Sequence, residues 1–126
     1  MKISPSQRNI TILKKIAQYC DQKDEAISHF GKSYETLHEN AVYKNATAMC
    51  VLQIGELTTH LTEDFRKTFS NMPWQKIKDM RNIAAHHYGQ FDDQILWDTM
   101  GNDISPLRDY CHECIAALRK EVDETK

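Results

Sequence analysis

The chain has 126 residues, 40% of them hydrophobic and 27% charged, with only 4 Gly and 3 Pro, a size and balance that suit one domain with its own core and no low-complexity or collagen-like segment. Its formal net charge of -2 argues against binding nucleic acid through bulk charge alone. No apolar stretch is long enough for a signal peptide or a membrane span, so a cytoplasmic protein with no membrane association is expected.

In chain order, Ser4-Pro5 reads as a helix N-cap followed by proline at the first helical position, where a missing N–H is harmless. Ile10, Leu13, Ile16, Ala17 and Cys20 then recur at three and four spacing, and the stripe resumes at Ile27 and Phe30 before Gly31 stops it. Ser33, Glu35 and Thr36 open a short helical turn. From Ala41 to Phe69 there is no proline, and Val42, Ala46, Met49, Ile54, Leu57, Leu61 and Phe65 form a broad apolar face, which predicts one long helix. Gly55 inside it costs about 1 kcal/mol relative to alanine, so it implies close backbone packing.

Asn71-Met-Pro73 breaks the run, and Trp74, Ile77, Met80 and Ala84 predict a third helix. Asp92 and Asp93 introduce a short fourth around Ile95, Leu96 and Trp97. Ser105-Pro106 repeats the cap-and-proline start, and Leu107, Tyr110, Cys111, Cys114 and Leu118 mark the last helix. With no strand alternation, the expectation is an all-α antiparallel bundle of about five helices, with residues 1–126 forming a single domain.

The 4 cysteines are scattered and read as reduced thiols. Cys111-His-Glu-Cys114 lacks the second ligand pair that a structural zinc requires, so no metal is assigned. His29, His38, His60 and His112 show no ligand spacing and receive no chemistry.

Positive charge gathers in one place. Between Phe65 and Arg81 there are five basic residues, Arg66, Lys67, Lys76, Lys78 and Arg81, against Asp79 alone. Directly after them comes Arg81-Asn-Ile-Ala-Ala-His86-His87-Tyr88. On a regular helix Arg81 and Tyr88 share a face, about 20° apart, whereas His86 lies about 140° from Arg81 and His87 about 120° the other way. An Arg–His site therefore needs a loosened helix or a second subunit. Such groups suit phosphoryl transfer within RNA: imidazole exchanges protons near neutrality, and guanidinium binds phosphate with fixed donors. A polar helix end carrying these residues without a catalytic role remains the alternative.

Arg81-x4-His86-x-Tyr88 resembles the R-x4-H-x-Y motif of the HepT-like toxins in the HEPN superfamily. Ile54-Gly55-Glu56, Pro73-Trp74-Gln75-Lys76-Ile77 and Leu96-Trp97 resemble that family's I-G-E, P-W-x-x-I and aliphatic-Trp elements, in the same order. The resemblance implies a HEPN bundle that forms a homodimer, lines a cleft with two motifs and acts as an endoribonuclease without metal or cofactor. Arg81 and His86 are then catalytic. Tyr88 is the site of AMPylation by an MntA-like nucleotidyltransferase antitoxin, a bulky anionic block at the cleft mouth. RNA is the substrate.

Other residues carry paired readings. Asn82 assists a phosphate contact or is a solvated helix residue. Glu56 orients Arg81 across the bundle, or faces solvent or the dimer seam. His87 is a bystander, or the histidine of an Arg81-x5-His87 spacing. Lys76 and Lys78 guide RNA, or form an ordinary charged face. Trp74 and Trp97 belong to the core rather than to base-stacking platforms. Beside the toxin reading stand a noncatalytic HEPN subunit that presents substrate to a nucleotidyltransferase, and a purely structural helical dimer.

Overall fold

The computed structural model describes residues 3–85 and 93–124. Their regular elements are α1 (Pro5–Phe30), α2 (Tyr34–Glu39), α3 (Ala41–Thr59), α4 (Glu63–Thr68), α5 (Trp74–Ala85), α6 (Asp93–Thr99), a π-helical turn (Met100–Ile104) and α7 (Leu107–Glu124). Among the described residues there is no strand, so the all-α expectation holds.

Local chemistry sets most of the boundaries. Ser4 accepts a hydrogen bond from the Gln7 backbone N–H, and the Gln7 side chain accepts from Ser4 N–H, a capping box just ahead of Pro5. Gly31 ends α1 at φ +112°, a conformation that L side chains rarely adopt. Its carbonyl accepts from the Tyr43 hydroxyl at 3.1 Å, and the fully buried Tyr43 ring stacks on Phe30. Ser33 caps α2 by accepting from Thr36 N–H, as its sequence suggests.

Three sequence expectations change, two at helix boundaries and one on α3, where Val42 and Met49 of the expected apolar face are exposed and Tyr43, Thr47 and Cys50 are buried instead. The long helix over 41–69 is divided: α3 stops at Thr59 and α4 starts after Thr62, which is extended and accepts from Phe65 N–H. Thr62 followed by Glu63 and Asp64 is a helix-start signal, with acids at the positive end of the helix dipole. Asn9 of α1 then fixes the break, its side chain donating to Thr62 Oγ1 at 3.1 Å and accepting from Thr62 N–H at 3.2 Å. Absence of proline therefore did not mean continuity.

Ser105 is the second change. It lies in the helical region at φ -52°, ψ -44°, and its hydroxyl donates back to the Met100 carbonyl instead of capping α7. The π-helical turn carries the chain from α6 almost directly into α7, so no extended cap residue intervenes.

The bundle is organised around α1 and α3. Helix α1 packs against α3 and α7, and α3 packs most extensively against α5. Leu13, Ile16, Tyr43, Val51, Ile54, Ile77, Met80, Leu96, Ile104 and Leu107 fill the interior. Trp74 is 5% exposed, and its indole N–H donates to the Phe69 carbonyl at 2.7 Å, while Trp97 packs against the core from its edge. Both tryptophans are structural, as their apolar helical positions suggest. Asp21 and Arg108 add an ion pair between α1 and α7. Among the described residues no helix is long and apolar enough to cross a membrane.

Cys20, Cys50, Cys111 and Cys114 are all free and buried on inward helix faces. Burial raises Cys20 to about 12 even though the Lys23 ammonium opposes it, and raises Cys50 and Cys114 to about 11. Cys111 moves upward for the same reason. Since the thiolate is the nucleophile, the native protein should react negligibly with Ellman's reagent at pH 8 and release all four thiols on denaturation. Rapid labelling of the native chain would show that this packing is wrong.

Candidate active site

The site begins with the approach of α5 to α3. Ile77 and Met80 are buried, which turns their face of α5 into the core and leaves Arg81 at its margin. Opposite Arg81, α3 presents Gly55. A Cβ at Gly55 would stand 2.8 Å from the Arg81 backbone nitrogen and 2.9 Å from the Arg81 Cβ, closer than real Cβ atoms come. Gly55 is thus the residue that lets the arginine backbone rest on α3, which gives a partner to the close packing expected from sequence.

The next residue on α3 completes the arrangement. Arg81 Nη1 donates to Glu56 Oε1 at 3.2 Å, the cross-bundle contact that was one of two readings of Glu56. The side chains are 42% and 44% exposed, so solvent screens the pair and its stability contribution is at most about 1 kcal/mol. Orientation is its larger effect. A guanidinium has five N–H donors, so a single bond to Glu56 leaves most of them available to a phosphate.

The flanking residues separate clearly. Asn82 is exposed. Lys76 Nζ lies 2.9 Å from Asp103 and links α5 to the π-helical turn, so its charge is already answered within the chain. Lys78, half-buried and one turn before Arg81, has no ion pair among the described residues. Of the two lysines expected to guide RNA, Lys78 is the better placed. His86, His87 and Tyr88 lie outside the described residues.

An arrangement that linear spacing did not suggest occurs at the start of α6. Asp93 is 7% exposed, and its Oδ2 accepts from His38 Nδ1 at 2.7 Å and from Lys44 Nζ at 3.1 Å. An ionised carboxylate only accepts, so His38 carries its proton on Nδ1 in this contact. Desolvation opposes ionisation of Asp93, but the bonds from His38 and Lys44 outweigh it and hold the carboxyl below its ordinary value. Ligand spacing in the sequence gives His38 no role. Its partner lies 55 positions away, beyond any local pattern.

The sequence matches the family described as "Ribonuclease HepT-like" over residues 10–114. It is 29% identical to "Putative RNase TTE0752" of Caldanaerobacter subterraneus subsp. tengcongensis over 103 residues, 82% of this chain and 90% of that one. It is 29% identical to "Putative RNase MJ1380" of Methanocaldococcus jannaschii, covering 60% of this chain and 69% of that one. It is also 33% identical to "Probable ribonuclease HepT" of Thermococcus cleftensis, covering 44% and 50% respectively. No solved structure matches the chain at a comparable level. The chain belongs to the HepT-like ribonuclease family, within the HEPN type of RNase.

Two consequences can be measured. Gly55→Ala gains about 1 kcal/mol of helix propensity but forces α5 away from α3, and overpacking of this kind costs about 1–3 kcal/mol. Urea denaturation should show a net loss; a stabilised variant would contradict the close approach. For Asp93, a lowered native pKa gives stability that is fully present above the unfolded value of about 3.9 and is lost as pH falls through the native value. The melting-temperature gap between wild type and Asp93→Asn should persist at pH 6 and close as pH falls through the lowered native value of the Asp93 carboxyl; a gap unchanged by acid would mean that the carboxylate charge contributes nothing.

Proposed function

We propose that this protein is a metal-independent endoribonuclease toxin of a HepT/MntA-type pair, acting as a cytoplasmic homodimer of one-domain chains. The observation that carries this reading is Arg81 seated on Gly55 and oriented by Glu56, in a chain of the HepT-like family. A guanidinium fixed at the backbone and at one nitrogen is preorganised for a phosphate oxygen, which is how electrostatic stabilisation of a transition state is obtained.

The reaction balances without a cofactor. A base removes the 2′-hydroxyl proton, the 2′-oxygen attacks the adjacent phosphorus, and the P–O5′ bond breaks as an acid protonates the leaving 5′-oxygen. The products are a 2′,3′-cyclic phosphate and a 5′-hydroxyl. Arg81 neutralises charge on the pentavalent phosphorus, and His86 supplies a proton-transfer group from each protomer. Asn82 and Lys78 assist phosphate binding, and His87 is a neighbour without a transfer role. AMP placed on Tyr88 by an MntA-like nucleotidyltransferase adds a bulky anion at the mouth of the cleft and blocks RNA entry.

Cleavage of total RNA by the purified protein in EDTA tests this reading. His86→Ala should lower the rate about 10²–10⁴-fold, the usual contribution of one general acid or base. Arg81→Lys should also be impaired, because an ammonium cannot reproduce the planar fork. Glu56→Gln, which retains a hydrogen-bond acceptor, should lose less than Glu56→Ala. Intact RNA with protein whose Tyr88 is shown by mass spectrometry to be unmodified would instead indicate a noncatalytic subunit that presents substrate to a nucleotidyltransferase.

A further inference from the structure

Helix α3 differs from its neighbours in the surface it turns to solvent. The exposed positions of α1 include Arg8, Lys14, Lys15, Asp24 and Glu25, and those of α7 include Glu113, Arg119 and Lys120, as expected of solvated helix faces. Among the 19 residues of α3 only Lys44 and Glu56 are charged, and both are answered within the chain, Lys44 by Asp93 and Glu56 by Arg81. What remains outward carries no charge and is apolar at its centre. Val42 is 66% exposed and Met49 51%, with Ala46 exposed between them. Val42, Ala46, Met49, Gln53 and Glu56 follow one another at intervals of four, three, four and three, which makes a single seam along the helix. Tyr43, Thr47, Val51 and Ile54 serve the core from the opposite side.

A groove lies directly beside this ridge. Ala26 and Phe30 of α1 and Ala46 and Cys50 of α3 line it, with Glu25 and His29 contributed by α1. A ridge and a groove on one face, with a carboxylate and an imidazole beside them, are self-complementary, as an isologous contact requires, since each copy must present both halves. An acidic or basic partner finds no unanswered charge on α3 to meet, which favours a second copy of the chain. Like copies must also keep their Glu56 carboxylates apart. When one α3 runs antiparallel to the other with Met49 at the twofold axis, the two Glu56 residues lie at opposite ends of the seam, about 21 Å apart along it, and the small Ala46 of each copy is level with the longer Gln53 of the other.

We infer that a second copy of this chain covers the face of α3 formed by Val42, Ala46 and Met49, antiparallel and with Met49 at the axis. This rests on the homodimeric reading above and names the surface through which the copies meet. Glu56 closes the seam, so each Arg81–Glu56 pair stands at the edge of the contact.

Sedimentation equilibrium of the full-length protein and of Met49→Asp, Val42→Asp and Ile95→Asp tests the contact. All three positions are exposed, so circular dichroism should show each variant folded. Wild type should have twice the chain mass. Met49→Asp, which brings two unpaired carboxylates together at the axis, should weaken the dimer about 100-fold or more, and Val42→Asp should weaken it as well. Ile95→Asp, on α6, should leave it unchanged. Cross-linking checks the direction: with the four native thiols buried, Met49→Cys should join two chains on mild oxidation, whereas Val42→Cys, about 21 Å from its counterpart along the seam, should not. A monomeric wild type overturns the inference, as does a dimer indifferent to Met49→Asp, a dimer lost equally with Ile95→Asp, or Val42→Cys cross-linking as readily as Met49→Cys. Mass is read without RNA, which separates this outcome from failure of the ribonuclease reading. A dimer of this kind that leaves RNA intact keeps the contact, and a monomer that cleaves RNA in EDTA rejects it while keeping the nuclease.

Discussion

The close approach of α3 and α5 at Gly55 is the constraint from which the rest of the site follows. With a hydrogen in place of a methyl group, the Arg81 backbone comes within a distance that no other residue at position 55 permits. That contact sets the spacing of the most extensively packed helix pair in the bundle. It also fixes the height at which the next residue, Glu56, meets the guanidinium. The adjacent pair Gly55-Glu56 thus performs two tasks in one turn of helix: the glycine places the arginine backbone, and the glutamate aims its side chain.

Stability and site geometry are separated in this molecule. The apolar interior runs from Leu13 and Ile16 on α1 through Ile54 on α3 and Ile77 on α5 to Leu107 on α7, and the four thiols inside it are held neutral by burial. Exposed charge lies at the margin. There the Arg81–Glu56 pair is too solvated to hold helices together, so its value lies in direction rather than in binding energy. Among the described residues Lys23 and Asp93 are the exceptions, charged groups drawn inward, Lys23 answered by Asp24 and Asp93 by two donors at the start of α6.

The family resemblance and the geometry support one another through different residues. The resemblance to an R-x4-H-x-Y motif implies a chemistry but not how an arginine on a helix is held. The I-G-E element supplies that missing part, because it places a small residue and then a carboxylate against the motif arginine. A short sequence element that reads as a packing glycine next to a surface acid becomes, in three dimensions, the seat of the candidate catalytic arginine.

Local signals in the sequence determined the helical class, the start of α1 at Ser4-Pro5, its end at Gly31, the cap of α2 at Ser33 and the core role of Trp74. Each depends on neighbours within a turn or two, where capping and periodicity operate. The break at Thr62 was also written locally, in Thr-Glu-Asp, but the continuous apolar face across it concealed the signal; Asn9, 53 residues earlier, is what secures it. Ser105 failed as a cap because the π-helical turn before it left no extended residue. Only the tertiary structure decided that Lys76 is engaged by Asp103, that Glu56 faces Arg81 and that Asp93 gathers His38 and Lys44. Those pairings join residues 25 to 55 positions apart, and hydrogen bonds over such separations depend on how whole helices cross, which no local periodicity encodes.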